Sequence, residues 1–225
     1  MERPVTAWID HTLLKPDACR RDIEQLCEEA VEYQCASVCV APVYVPLAVD
    51  CLHGSDVAVC TVVGFPLGFQ STASKLAETR EALYLGATEI DMVIQQGWAQ
   101  DGAYDAVTEE IRLLKEACGS CCLKVILECC ALTAEQKRRL TLCAVEAGAD
   151  FVKTSTGFGG GGATVEDVRL LVETGRGRIA VKAAGGVRTL EQFEAMRAAG
   201  AARIGASATA AIVEAWLARQ EMAHV

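Results

Sequence analysis

Two stretches place a lysine inside an apolar run and follow it with glycines: FVKTSTGFGGGG at 151–162 and IAVKAAGG at 179–186. An ionised lysine is costly in a buried strand, so the repeated pattern predicts that Lys153 and Lys182 meet and share a purpose. A free lysine has a pKa near 10.4, which leaves less than about one part in a thousand neutral at pH 7. Burial and a neighbouring cation both favour the neutral, nucleophilic form. Two lysines on strands of one sheet would do this to each other, and lowering a pKa by about three units needs roughly 4 kcal/mol. Asp91, which interrupts EIDMVI, is placed to hold the charge on one lysine and to carry protons. Together they suit imine chemistry on a carbonyl substrate. The competing reading is that both lysines only neutralise strand-end carboxylates such as Asp91 and Glu128. The trio of Lys153, Lys182 and Asp91 favours chemistry, because perturbed groups concentrate at functional sites.

The glycines meet a second need. TGFGGGG follows the Lys153 run, AAGG follows the Lys182 run, and IGAS ends the last apolar run. Glycine lets backbone N–H groups come close to an anion. Gly185, Gly186 and Gly205, with Arg188 in GGVRT, therefore read as a phosphate site. For Gly159–Gly162, tight turns fit as well as ligand contact. The residues point to a phosphorylated carbonyl compound handled through a lysine imine.

These residues need a scaffold, and the chain repeats a unit that supplies one. LGATEIDMVI, AGADFVKTS and AAGAARIGAS each run from a helix end at glycine (Gly86, Gly148, Gly200) through alanine into a short apolar strand. Glycine can take the left-handed conformation that ends a helix. Strands are expected near 9–15, 37–41, 57–64, 89–94, 123–128, 151–155, 179–184 and 203–206. Helices are expected near 20–34, 43–51, 72–85, 101–117, 134–147, 165–174, 190–199 and 208–220. The strands are continuous apolar runs, as when both faces are buried. Thr133 with Gln136 and Thr189 with Gln192 fit capping boxes.

Eight alternating units predict an α/β fold, a compact (β/α)8 TIM barrel forming a single domain over 1–225. A doubly wound open sheet is the alternative, but it favours a glycine-rich turn after its first strand, and CVAPVYV has none. In a barrel the site lies at the C-terminal strand ends. Asp10, His11, Thr12, Cys39, Asp91, Glu128, Lys153, Thr154, Ser155, Lys182 and Ser207 fall there. Lys124 opens its strand, at the end facing away from the site, and reads as structural.

Composition narrows the partners. A net charge of −9 argues against a general binder of nucleic acid or membrane surfaces, which need clustered Lys and Arg. One small phosphorylated ligand remains compatible, since a few N–H groups and one cation suffice. No apolar run reaches the ~18–20 residues of a membrane span, and MERPVTAWIDHTLL carries no signal-peptide pattern. The 12 cysteines sit mostly within apolar strand and helix patterns, which reads as small hydrophobes in a reducing cytoplasm. Cys118-x-x-Cys121 offers half a zinc site, but alternation assigns the neighbouring cysteines of CLKVILECC to a strand and its ends. With three histidines and no HExxH, no metal is expected.

DHTLLKP, SVCV, VGFPLG, EIDMVI, DFVKTSTGF, VKAAGGVRT and RIGAS, in this order from about 9 to 209, resemble the serial motifs of the deoxyribose-phosphate aldolase family. The resemblance implies a (β/α)8 class I aldolase that cleaves 2-deoxy-D-ribose 5-phosphate reversibly to D-glyceraldehyde 3-phosphate and acetaldehyde, without a metal. It implies Lys153 as the imine-forming lysine, Lys182 as the second lysine that lowers its pKa, and Asp91 as the proton relay. It sets Asp10, Thr12 and Cys39 near the substrate. Thr156, Gly157, Gly185, Gly186, Arg188, Gly205 and Ser207 are expected at the substrate and its phosphate. The expected partner is the small sugar phosphate alone, with a homodimer as the oligomer considered. Other lysine-imine aldolases of transaldolase type and a non-catalytic sugar-phosphate binder are the competing readings. The sequence departs from the family pattern at Ala41, Gln95, Gln96, Gly159-Gly160 and Ala208. Ala208 stands where a second serine is usual, so a raised KM for the 5-phosphate with kcat largely kept is expected.

Overall fold

Among the described residues, short runs rich in valine, isoleucine and alanine form eight parallel strands, and each strand pairs with the next until β8 closes on β1. A computed structural model describes residues 5–223; residues 1–4 and 224–225 of the expected domain, His224 among them, lie outside the described residues. The strands are β1 (Ile9–Leu13), β2 (Ser37–Val40), β3 (Ala58–Val63), β4 (Glu89–Val93), β5 (Cys122–Ile126), β6 (Phe151–Lys153), β7 (Ala180–Ala184) and β8 (Arg203–Ala206). The helices are α1 (Arg20–Glu32), α2 (Val45–Cys51), α3 (Thr72–Tyr84), α4 (Gln96–Gln100), α5 (Tyr104–Cys118), α6 (Ala134–Glu146), α7 (Val165–Gly175), α8 (Leu190–Ala198) and α9 (Thr209–Ala223). The closed barrel replaces the open-sheet alternative.

The joints follow from local chemistry. Gly86, Gly148 and Gly200 all take positive φ where their helices end, which costs glycine nothing. Both expected capping boxes are formed, at Thr133 with Gln136 and at Thr189 with Gln192. Helix α4 was not expected. It has five residues, and Gln95 caps it by accepting a hydrogen bond from the Gly97 N–H at 2.6 Å. Glutamine is not a usual cap and the helix is barely one turn long, so no periodicity could announce it.

Strand side chains alternate between two environments. One set, including Val38, Ile90, Val125, Val152, Val181 and Ile204, belongs to a continuous apolar core shared with helix residues such as Ile23, Ile111, Leu140 and Leu171. That core lies between the barrel and its helices. A buried pair braces it, Lys75 of α3 with Glu110 of α5 at 2.8 Å, and Lys75 also donates to the Val93 carbonyl at 2.9 Å. The other set points into the barrel. There the apolar cluster is small, Cys39, Cys60 and Val62 under Leu14 and Phe65. Charged side chains, Asp10, Glu89, Asp91, Lys124, Lys153 and Lys182, are buried in the same interior.

Candidate active site

The barrel register brings the site residues together. Lys153 and Lys182 are partners across β6 and β7, and Asp91 and Lys124 are partners across β4 and β5. Alternation sends all four inward, where they converge. Lys153 Nζ and Lys182 Nζ each donate to Asp91 Oδ2 at 2.7 Å. Lys124 Nζ donates to Asp91 Oδ1 at 2.9 Å, and the Cys60 thiol donates to the same oxygen at 3.2 Å.

A second tier of charge lies below. Lys182 Nζ also makes an ion contact with Asp10 Oδ2 at 2.5 Å. Lys124 contacts Glu89 Oε2 at 2.6 Å, and Arg203 bonds Glu89 Oε1 at 2.6 Å and also Asp10. The interior thus holds three carboxylates (Asp10, Glu89, Asp91) and four basic groups (Lys124, Lys153, Lys182, Arg203). Asp91, Lys124 and Lys182 are all 0% exposed and Lys153 is 2% exposed.

Burial alone would favour the neutral forms; the network reverses this. Burial works to raise the Asp91 pKa, but Lys124, Lys153 and Lys182 outweigh it and hold the carboxyl well below its usual range. Burial likewise opposes ionised Asp10, and Lys182, Lys124 and Arg203 keep its pKa low. For Lys182, burial is overcome by Asp10 and Asp91, so its pKa is raised and the group stays an ammonium. Lys124 is held well above the ordinary lysine value against burial, first by Asp91.

Above this network, at the C-terminal end of the barrel, opens a cavity of about 210 Å³. Of the charged interior groups, Lys153 alone lines it among the described residues. Gly157, Gly185, Gly186, Gly205, Ser207 and Arg188 line it, together with Thr12, Leu14, Lys15, Thr156 and Phe158. Nine expected site residues therefore meet at this cavity. Four others, Lys182, Asp91, Asp10 and Cys39, lie beneath it; Cys39 is fully buried against Cys60 and Asp10 is bonded to Arg203. Ala208 is not on the wall.

The sequence reading of Lys124 requires correction. Its ammonium does not face away from the site but is bonded to Asp91. Strand β5 starts at Cys122, so Lys124 is its third residue and shares the inward face with Ile126. Glu89 and Arg203 were also missed. Period-two alternation was the available signal: Glu89 must face the same way as Asp91, and Arg203 the same way as Gly205. Glu128 sits just beyond β5 at φ 57°, accepting hydrogen bonds from the Thr156 N–H and hydroxyl. It fastens the loop that begins after Lys153. Cys39, Cys60 and Asp91 bring three potential metal ligands together, but a cation placed there would face the ammonium groups already on Asp91.

A sequence model of the DeoC/LacD aldolase family matches residues 5–216. The deoxyribose-phosphate aldolase of Staphylococcus carnosus is 53% identical over 207 residues, covering 92% of this chain and 94% of its own. The solved aldolase QR15 superposes with a TM-score of 0.92 at 40% identity, over 97% of this chain and 98% of its own. The tetrameric deoxyribose phosphate aldolase of Aeropyrum pernix superposes with a TM-score of 0.86 at 32% identity, over 94% and 90%.

Proposed function

The chain belongs to the DeoC/LacD family of aldolases, and on that footing we propose that it is a deoxyribose-phosphate aldolase working through an imine on Lys153. The substrate is 2-deoxy-D-ribose 5-phosphate, cleaved reversibly to D-glyceraldehyde 3-phosphate and acetaldehyde. The observation that carries the assignment of roles is the position of Lys153: it is the interior base that reaches the cavity, and it shares Asp91 with a second lysine.

The chemistry follows from these positions. The Lys153 amine attacks C1 of the open-chain aldehyde, and loss of water gives an iminium. The attacking form is the free amine, which also leaves the interior balanced, three carboxylates against the cations Lys124, Lys182 and Arg203. The 3-hydroxyl gives up its proton, the C2–C3 bond breaks, and its electron pair flows into the iminium. Glyceraldehyde 3-phosphate leaves. The remaining enamine takes a proton at C2, and water hydrolyses the iminium to acetaldehyde and free Lys153. Asp91, ionised and in contact with both lysines, carries protons in these steps, and Lys182 keeps its positive charge beside the reacting nitrogen. The iminium is the electron sink, so no metal enters the reading.

Also lining the cavity, Gly185, Gly186, Gly205 and Ser207 offer backbone N–H groups and a hydroxyl, and Arg188 a charge, for the 5-phosphate. All twelve cysteines are unpaired, which supports a reducing, cytoplasmic setting. No helix among the described residues is long and apolar enough to cross a membrane.

The test is covalent trapping. Incubation with deoxyribose 5-phosphate and borohydride, followed by peptide mass spectrometry, is expected to place one reduced adduct on Lys153. Lys153→Leu should show none and should lose aldolase activity. An adduct on another lysine, or cleavage without any adduct, would sink the assignment.

A further inference from the structure

We propose that Lys124 is a positioning residue for this reaction: it ties down one oxygen of Asp91 so that the other is presented to Lys153 and Lys182. The proposal rests on the reading of Lys153 and Asp91 given above, but on separate geometry. Lys124 does not line the cavity, so it acts through Asp91 and not on substrate.

The two oxygens of Asp91 have different partners. Oδ1 accepts from Lys124 at 2.9 Å and from Cys60 at 3.2 Å, and Oδ2 accepts from Lys153 and Lys182 at 2.7 Å each. The terminal torsion of an aspartate is soft and roughly two-fold. Nothing in the carboxylate distinguishes its oxygens; the donors do. With Oδ1 engaged, Lys153 shares a single oxygen with Lys182 and cannot take both oxygens as a bidentate ion pair. Its amine is then held at the floor of the cavity, and Oδ2 is one proton transfer away from it.

Lys124 is itself held. Glu89 contacts its ammonium at 2.6 Å, and Arg203 fixes Glu89 from β8. Asp10 lies 3.7 Å away and the Cys60 sulfur 3.3 Å. These contacts come from β1, β3 and β4, with Arg203 of β8 behind, so the ammonium has partners from much of the barrel wall. A lysine whose only task was to neutralise Glu89 would not need to reach Asp91, since Arg203 already pairs with Glu89.

Two neutral replacements of similar length separate positioning from charge. Lys124→Gln keeps an N–H donor for Asp91 Oδ1, and Lys124→Met does not. Lys124→Met is expected to lower kcat at least tenfold with KM changed less than about twofold. The pH profile of kcat should move, because Asp91 loses its fixed donor. Lys124→Gln is expected to retain several-fold more of kcat than Lys124→Met. Borohydride trapping in the same proteins reads the Lys153 assignment independently: an adduct on Lys153 in the unsubstituted protein upholds that reading whatever Lys124 does. Equal kcat and equal pH profiles for the two variants would overturn the proposal, as would unchanged kcat in Lys124→Met. If the lost charge prevents folding, the same comparison is made with Glu89→Gln added to each variant, which removes the stranded carboxylate. Recovery of kcat in Lys124→Met with Glu89→Gln would show charge balance alone at work and would also overturn the proposal.

Discussion

At the scale of single residues, the proposed function separates chemistry from recognition by depth. The mutually bonded charged groups lie at the floor; hydroxyls, glycines, apolar side chains and the basic Lys15 and Arg188 form the wall. This division predicts which kinetic constant a substitution moves. Ser207 is on the wall and does not belong to the charged network. Ser207→Ala should raise KM for the 5-phosphate by about fivefold, the ~1 kcal/mol of a lost hydrogen bond, with kcat within twofold. Initial-rate kinetics check this, and a fall in kcat at constant KM would contradict it. The expectation at Ala208 stands beside it: Ala208→Ser should lower KM for the 5-phosphate with kcat largely kept. Lys153 and Asp91 were legible as residues, since a charge in an apolar strand is conspicuous. The contact of Lys124 with Asp91 was not legible, because it depends on which way one strand faces.

At the scale of elements, the loops after β6 and β7 behave as one unit. The Ala163 N–H donates to the Gly185 carbonyl at 2.9 Å. A side chain at Gly162 would lie 2.2 Å from that same carbonyl oxygen, so this glycine is required by close backbone approach. The four-glycine run left two readings open, and at Gly162 packing accounts for it. Gly162→Ala must push the two loops apart and should raise KM for the 5-phosphate by roughly tenfold, with a stability loss of about 1–3 kcal/mol. Steady-state kinetics together with thermal melts test this; a variant with both unchanged would show that the loops are not coupled. Glu128 holds the start of the same loop through Thr156. Strand order and helix limits were readable from the glycine joints and capping boxes, while α4, with a glutamine cap and five residues, was not.

At the scale of the whole molecule, the charged interior ties stability to pH. The folded pKa values of Asp10 and Asp91 are depressed, so their contribution is full above the unfolded value of about 4 and is lost as pH falls through the folded values. Those of Lys124 and Lys182 are raised, so their contribution is full below about 10.4 and is lost as pH rises through the folded values. The melting temperature should therefore be level from about pH 5 to pH 9 and fall on both sides. Calorimetry across this range checks it, and a maximum below pH 4 would contradict the assignment of ionised carboxylates. The barrel tolerates these charges because they pair with each other across its interior, and the apolar area that stabilises the fold lies outside, beneath the helices.

Local chemistry in the chain was enough to establish the alternation of strands and helices and the eight-fold repeat, and to suggest the residue types of the proposed reaction. Periodicity, helix caps and glycine joints act over a few residues, and a lysine in an apolar run reveals itself where it stands. The partners of that lysine do not. Whether Lys153 meets Asp91, whether Lys124 points into the barrel, and which glycines touch ligand or merely each other depend on closure of the sheet. Closure brings Asp10 of β1 within 3.7 Å of Lys124 of β5, 114 positions apart in the chain, and sets the register that turns every second side chain inward. Those contacts are long-range, and only the folded barrel could decide them.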